Sequence, residues 1–198
     1  MAINLVKGQK IDLTKNNSSL TSLLIGLGWD PVKKAGGFLG GLFGGSADID
    51  VDASVFMLRN DKFVYKKDLI YFGNLKSQDG GVIHTGDNIT GDGDGDDEQI
   101  IVDLTKIPQD VNRLVFVTNI YECISRKQHF GMIKNAFIRV ADNKKGTDIA
   151  RYNLSDEYNG YTALIVAEVY RKNNEWKFAA VGQGTNDTGL NDMMKRFI

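Results

Sequence analysis

The sequence predicts an all-β fold, a β-sandwich of two mainly antiparallel sheets with a few short helices, one of them at the C-terminus. Short stretches rich in Val, Ile, Phe and Tyr recur along the chain, and turns of Gly, Asn and Asp separate them at intervals of about 8–12 residues. Few segments place apolar residues at helical spacing. The 198 residues are 42% hydrophobic and 25% charged, which is ordinary for a soluble globular protein. We therefore expect one domain over residues 1–198.

Candidate strands follow one another along the whole chain. They are Ile3–Val6, Lys10–Leu13, Ser22–Leu27, Ile49–Leu58, Phe63–Tyr65, Gly81–His84, Gln99–Leu104, Arg113–Tyr121, Ala136–Val140, Asp148–Tyr152, Ala163–Tyr170 and Glu175–Gly182. A hairpin turn over Arg171–Asn174 joins the last two strands, because Asn tolerates a positive φ. Helices are predicted at Gln128–Lys134 and at Leu190–Phe197, where Met193, Met194 and Phe197 recur at helical spacing.

A Gly-rich stretch over residues 31–47 interrupts this pattern and is predicted to be a mobile loop. Glycine doublets recur every four residues between Gly36 and Gly45, with Phe38-Leu39 and Leu42-Phe43 between them. A helix would lose about 1 kcal/mol at each Gly relative to Ala. Two alternatives remain open for the Phe and Leu pairs: they dock on a partner or a membrane, or they fold back onto the sandwich or stay disordered.

Composition excludes several classes of protein. The isoelectric point near 6.1 and the absence of a basic stripe argue against nucleic acid as a partner. The single Cys123 excludes an internal disulfide and a cysteine-based zinc site, and it suits a reducing compartment. His84 and His129 are too few for most zinc enzymes, and we interpret both as surface or turn residues.

The N-terminus lacks the apolar region of a signal peptide, and no run reaches the ~18 apolar residues of a membrane span, which predicts a cytoplasmic protein.

An acidic segment, residues 86–98, is the strongest functional signal in the chain. From residue 77 to residue 105 there are eight carboxylates and no Lys or Arg, whereas the whole chain has a net charge of only −1. Glycines between the aspartates allow several carboxylates and backbone carbonyls to face one point. Ca²⁺ binds six to eight oxygen ligands in flexible geometry. We interpret the segment as a calcium-binding loop.

Two other interpretations compete for the acidic segment. Such runs are often solvated loops or interaction tails, but this one leads directly into the apolar run 99–104. An EF-hand over residues 92–103 would need Gly at the position of Asp97, Glu at the position of Asp103, and helices rather than strands on both sides. The EF-hand is therefore rejected.

A second acidic cluster lies upstream at residues 48–54. On a strand, Asp48, Asp50 and Asp52 project to one side, where their like charges repel each other. A divalent ion shared with the acidic segment would remove that repulsion. The alternative is that these aspartates simply face water on an edge strand.

Several phrases together resemble the TerD family of tellurium-resistance and general stress proteins. They are LIGLGWD at 24–30, DIDVDAS at 48–54, FGNLKS at 72–77, HTGDNITGDGDGDDEQIIVDL at 84–104, NAFIR at 135–139, EVYR at 168–171 and EWKFAAVGQG at 175–184. The resemblance implies a calcium-binding β-sandwich with one or two ions. The ligands that it implies are Asp48, Asp50, Asp52, Asp87, Asn88, Asp92, Asp94, Asp96, Asp97, Glu98 and Glu168, with Asp30 as a further candidate.

These observations support two functions. The first is a calcium-dependent binding or scaffold module in stress resistance, which acts with other stress-resistance proteins or with membrane-associated complexes at the inner membrane face. The second is a hydrolase that uses the ion to activate water, with His84 as a candidate base. No base–nucleophile pair stands out in the sequence, so no catalytic residue is assigned and the binding module is preferred.

Overall fold

The computed structural model describes residues 2–31, 49–86, 95–154 and 158–198 of the chain. Within these ranges it contains twelve strands and two short α-helices. The strands are β1 Ile3–Leu5, β2 Lys10–Asp12, β3 Ser22–Pro31, β4 Val51–Arg59, β5 Leu69–Ile70, β6 Val82–His84, β7 Glu98–Asp103, β8 Val111–Ile120, β9 Ile133–Asp142, β10 Thr147–Asn153, β11 Ala163–Lys172 and β12 Glu175–Thr185. The helices are α1 Cys123–Arg126 and α2 Leu190–Met194.

The strands form two six-stranded sheets, which confirms the predicted β-sandwich. The first sheet has the order β1-β10-β9-β3-β7-β6, and the second has the order β2-β12-β11-β8-β4-β5. Neighbouring strands are antiparallel, except that β1 pairs with β10 in parallel. The core between the sheets contains the alternate apolar residues of both, as the two-residue period of a strand requires.

Strand β4 is buried on both faces. Val51, Ala53 and Val55 pack into the core between the sheets. Phe56 faces the other way, into a second apolar cluster that includes Met193 of α2. The C-terminal segment thus covers the outer face of the second sheet, and Asp52 lies on that same outer face of β4.

The predicted helix over Gln128–Lys134 is wrong. The structure has only a 3-10 turn at Phe130–Met132, and β9 begins at Ile133. The reason is that β9 pairs with β3 along its whole length, with Ile133 opposite Pro31, so sheet pairing overrides the local helical spacing. The short helix α1 was not predicted from the sequence. The C-terminal helix is confirmed, although it ends at Met194 rather than Phe197.

Two strand predictions also differ from the structure. Residues 63–65 form no strand, because the chain has already turned back at the bridge between Arg59 and Lys62. The short strand β5 was not predicted. By contrast, the hairpin between β11 and β12 is confirmed, with φ of 54° at Asn173 and 60° at Asn174.

The predicted Gly-rich loop lies outside the described residues, apart from the backbone of Pro31 at the end of β3. In the part of the chain that the structure describes, no helix is long and apolar enough to cross a membrane.

Candidate metal centre

The acidic segment enters β7 through three successive carboxylates, and each binds a different strand. Both oxygens of Asp96 accept hydrogen bonds from Arg139 of β9. The Oδ2 atom of Asp97 accepts the backbone N–H of Trp29 in β3 at 2.7 Å. The Oε2 atom of Glu98 accepts the backbone N–H of Ala53 in β4 at 2.5 Å. These contacts fix the end of the acidic segment across both sheets, at what we call the acidic end of the sandwich.

Asp96 is held by a buried ion pair on the outer face of the first sheet. Its carboxylate is 2% exposed and lies 2.7 Å from Nε and 2.6 Å from Nη2 of Arg139. Gln99 donates a third hydrogen bond to Oδ2 at 3.0 Å. The carboxylate rests on Gly26, where a Cβ atom would collide with it. The hydrogen bonds that Arg139 donates to Asp96 raise the pKa of Arg139 above its usual value. The structure thus gives this predicted ligand a cationic partner from the protein itself.

Glu98 and His84 together complete the free edge of β4. β5 pairs with β4 only at Val55 and Phe56, so the peptide groups of Ala53 extend beyond the last strand of that sheet. Glu98 accepts from the Ala53 N–H, and His84 Nε2 lies 3.2 Å from the Ala53 carbonyl oxygen. Two side chains of the first sheet therefore replace a strand partner for the second, and join the sheets at the acidic end.

The His84 ring is buried and its hydrogen bonds define its tautomer. The Gly86 N–H donates to Nδ1 at 3.1 Å, so Nδ1 carries no proton. Nε2 then carries the proton and donates it to the Ala53 carbonyl oxygen. With only 2% of the residue exposed, the interpretation of His84 as a surface or turn residue is wrong.

Asp50 and Asp52 lie just before and within the start of β4, close in sequence to Ala53, whose N–H Glu98 binds. The Asp50 carbonyl accepts the Tyr121 N–H at 2.9 Å, which fixes the approach to the strand. Asp52 is 4% exposed and pairs across the sheet with Asn119 of β8, whose Nδ2 donates to Asp52 Oδ2 at 3.3 Å. The alternative that these aspartates simply face water is therefore wrong for Asp52, which is buried.

The structure separates one predicted ligand, Glu168, from the acidic end. Glu168 lies in the middle of β11 and forms a 3.3 Å ion pair with Arg113. It is five residues, about 16 Å of strand, beyond Ala163, which lies level with Asn119. Asp30, by contrast, directly follows Trp29, whose N–H binds Asp97. It is exposed, and its Oδ2 accepts from Asn135 Nδ2 at 2.7 Å.

The remaining predicted ligands lie outside the described residues. They are Asp48, Asp87, Asn88, Asp92 and Asp94. Within residues 2–31, 49–86, 95–154 and 158–198, no three His, Cys, Asp or Glu side chains are arranged to hold a metal. The described part of the acidic end thus holds Asp96, Asp97 and Glu98 at the end of the acidic segment, and Asp52 on β4, in fixed positions.

Sequence reasoning missed two residues at this end of the molecule, Arg139 and Asn119, and it did not predict that His84 is buried. Arg139 follows Asp96 by 43 residues, and Asn119 follows Asp52 by 67. A single sequence carries no signal for such pairs. For His84 a signal existed, because its strand Val82–His84 alternates and places His84 on the same face as the buried Val82.

These features define a class of protein: a two-sheet β-sandwich with an acidic loop fixed at one end. The chain matches the TerD domain family over residues 1–197, and it belongs to that family. It is 61% identical over 199 residues to the stress response protein SCP2 of Bacillus subtilis (strain 168), with 100% of each chain covered. It is 42% identical over 185 residues to the tellurium resistance protein TerD of Serratia marcescens, which covers 93% of this chain and 91% of that protein.

Solved structures show the same fold. A homologue of telluride resistance protein (TerD) from Streptomyces coelicolor A3(2) superposes with a TM-score of 0.63 at 20% identity, covering 85% of this chain and 92% of that one.

Proposed function

We propose that this chain is a calcium-binding stress-response protein associated with tellurite and chemical-damage resistance. In this proposal the acidic end binds Ca²⁺ and thereby organises a surface for other stress-resistance proteins, on the cytoplasmic side and in contact with membrane-associated complexes. Support for the physiological role comes from relatives named as stress response, tellurium resistance and chemical-damaging agent resistance proteins. No nucleic acid is expected as a partner.

One observation carries the calcium assignment: Glu98 binds the Ala53 N–H at 2.5 Å, which joins the end of the acidic segment to the strand that contains Asp52 and follows Asp50. Two acidic clusters that are 45 residues apart in sequence are thus neighbours in the fold. Their side chains offer oxygen donors, the kind that Ca²⁺ prefers, whereas thiol or imidazole donors would favour zinc. The donor set therefore fits Ca²⁺.

The expected ligands divide into two groups by position. The first group lies on the sandwich, where each residue has its backbone fixed in or beside a strand. It consists of Asp50, Asp52, Asp97 and Glu98. The acidic segment would add Asp87, Asn88, Asp92 and Asp94, and Asp48 would join from the other cluster. Bound Ca²⁺ would supply positive charge at this point, and one or two ions would balance a site so rich in carboxylates. Asp96 is left out of this set, because Arg139 and Gln99 already bind both of its oxygens.

The alternative function, a hydrolase with His84 as general base, receives no support from the ring's surroundings. Both nitrogens of His84 are engaged with backbone groups, and the ring lies beneath the surface. A base must reach the proton that it removes. The binding module is therefore the function we propose.

The test is calcium titration of the full chain after removal of metal with a chelator. We expect heat of binding by calorimetry and a rise of several degrees in the thermal midpoint, because a ligand that binds only the folded state stabilises it. Mg²⁺ should compete poorly, since it requires tighter octahedral geometry.

The Asp97→Asn variant should reduce the calcium-dependent rise in the thermal midpoint. The control is Asp12→Asn, at an exposed ion pair with Lys177, which should keep that rise. A thermal midpoint that ignores both calcium and chelator would rule the proposal out.

The scaffold role has its own test. Proteins that co-purify with the chain in calcium should be lost in chelator, and the Asp97→Asn variant should lose them in both conditions. Co-purification that is identical with and without calcium would contradict a calcium-dependent scaffold.

A further inference from the structure

Asn119 presents a buried oxygen atom beside the acidic end. Residue Asn119 is 5% exposed, and its Oδ1 atom has no hydrogen-bond partner among the described residues. A buried carbonyl oxygen that has lost water without gaining a donor is unfavourable, and most such atoms in folded proteins are paired. In its present orientation the amide therefore leaves this oxygen without a donor or a cationic partner among the described residues.

The position of Asn119 directs its amide toward Asp52, with the nitrogen nearest the carboxylate. The two residues are directly opposite in the pair β4–β8, on the outer face of the second sheet. Nδ2 of Asn119 lies 3.3 Å from Oδ2 of Asp52, and Oδ1 is attached to the same carbon as Nδ2. The contact is long for a hydrogen bond to a carboxylate, which usually measures about 2.7–2.9 Å.

A half-turn of the amide exchanges its nitrogen and oxygen with little change of shape. The oxygen would then take the position 3.3 Å from the Asp52 carboxylate oxygen that the nitrogen occupies. Two oxygens at that separation repel each other unless a cation lies between them. If each is about 2.4 Å from Ca²⁺, they subtend an angle of about 87° at the ion, which is close to that between adjacent calcium ligands.

We propose that Asn119 is a calcium ligand: its side-chain amide turns over when Ca²⁺ binds and contributes Oδ1 to the ion that Asp52 also holds. This inference rests on the proposed function, because it requires that the acidic end binds calcium. It adds a neutral oxygen ligand from β8, a strand that neither acidic cluster includes. In the absence of calcium the same amide donates to Asp52 and moderates its charge.

Calorimetric titration of CaCl₂ into three variants of the full chain tests the inference. Asn119→Ala removes the oxygen and should weaken calcium binding tenfold or more. Asn119→Asp supplies a charged oxygen and should bind calcium at least as tightly as the original chain, while lowering the thermal midpoint in chelator because two carboxylates then lie opposite each other. The control is Thr118→Val, which changes the residue just before Asn119 in β8. Thr118 is buried on the opposite face of the strand, so this variant should leave the calcium affinity within twofold.

The original chain provides a readout that does not depend on any variant folding. The ¹³Cγ resonance of Asn119 should move on addition of CaCl₂ and return with chelator. An unmoved resonance, or unchanged calcium affinity in Asn119→Ala, would overturn the assignment of Asn119 while leaving calcium binding itself intact. Absence of binding by the original chain would instead overturn the proposed function.

Discussion

At the acidic end, the two sheets hold their buried carboxylates by different means. On the outer face of the first sheet, Asp96 lies against the guanidinium of Arg139, a permanent positive charge. On the outer face of the second sheet, Asp52 lies beside the neutral amide of Asn119. A guanidinium only donates, whereas an amide offers both a donor and an acceptor.

This difference separates a structural carboxylate from one suited to respond to an added ion. The charge of Asp96 is balanced whether or not calcium is present, so its contribution should be the same in calcium and in chelator. Asp52 has a partner that can change its role when a cation arrives. Two buried acids at the same end of the sandwich can therefore differ in whether their contribution to stability depends on calcium.

Loss of the guanidinium should have the largest effect. Arg139→Met leaves the carboxylate of Asp96, 2% exposed, without its cationic partner. Removing one member of a buried pair typically costs about 3–5 kcal/mol. Urea unfolding should show this loss equally in calcium and in chelator, and a loss confined to calcium would contradict the comparison. The control is Asp148→Asn, which removes the half-exposed second partner of Arg139 and should cost less than about 1 kcal/mol.

Gly26→Ala should have the next largest effect, because the new Cβ would collide with the Asp96 carboxylate. Overpacking of this kind costs about 1–3 kcal/mol. Thermal unfolding should show a lower midpoint for this variant with or without calcium. Gly189→Ala is the matched control, since nothing lies within 4 Å of the position that its new Cβ would occupy and its φ of 167° is ordinary extended backbone. Equal midpoints for the two variants would contradict the expected collision between a Cβ atom at position 26 and the Asp96 carboxylate.

Glu98→Gln sharpens the comparison at a carboxylate that connects the two sheets. The amide oxygen can still accept the Ala53 N–H, so the loss in chelator should be about 1 kcal/mol, the difference between a charged and a neutral acceptor. In calcium the loss should be larger, because a proposed ligand has lost its charge. Unfolding in both conditions measures the two values. Glu122→Gln, at an exposed ion pair with Arg126, should change neither.

The smallest expected effect lies in the helix that helps to cover the outer face of the second sheet. Hydrogen bonds from Lys195 and Thr188 lower the pKa of Asp192 from 3.8 to about 2. A lowered pKa in the folded state means that the stabilisation is present above about pH 4 and is lost as the pH falls toward 2. Asp192→Asn should therefore slightly reduce stability at pH 7, and this effect should shrink as the pH falls from about 4 toward 2. An effect of the same size at both pH values would contradict the assignment.

Most of the fold was predictable because strands and turns are local patterns. The alternation in β7 and the two asparagines after β11 indicated a strand and a hairpin without any knowledge of their partners. The helix predicted over Gln128–Lys134 failed because β9 pairs with β3, which is about 100 residues away. Local spacing contains no information on such pairing.

The acidic residues of the candidate site could be identified from the sequence, but the contact that each of them makes could not. The sequence identifies Asp96, Asp97 and Glu98 as one acidic run, yet the fold joins them to three different strands. Which acid meets an arginine and which meets a peptide N–H depends on cross-strand register. The same register places Asn119 next to Asp52, and no pattern within either strand predicts that pair.

The N-terminal strands have a consequence for synthesis of the chain. β1 pairs with β10 at one edge of the first sheet, and β2 pairs with β12 at one edge of the second. These partners lie more than 140 residues further along, so β1 and β2 cannot dock until those later strands have been synthesised. Until then both sheets have an open edge, at which nascent chains can pair with one another. Chaperone protection during translation should therefore matter more for this protein than its modest size would imply.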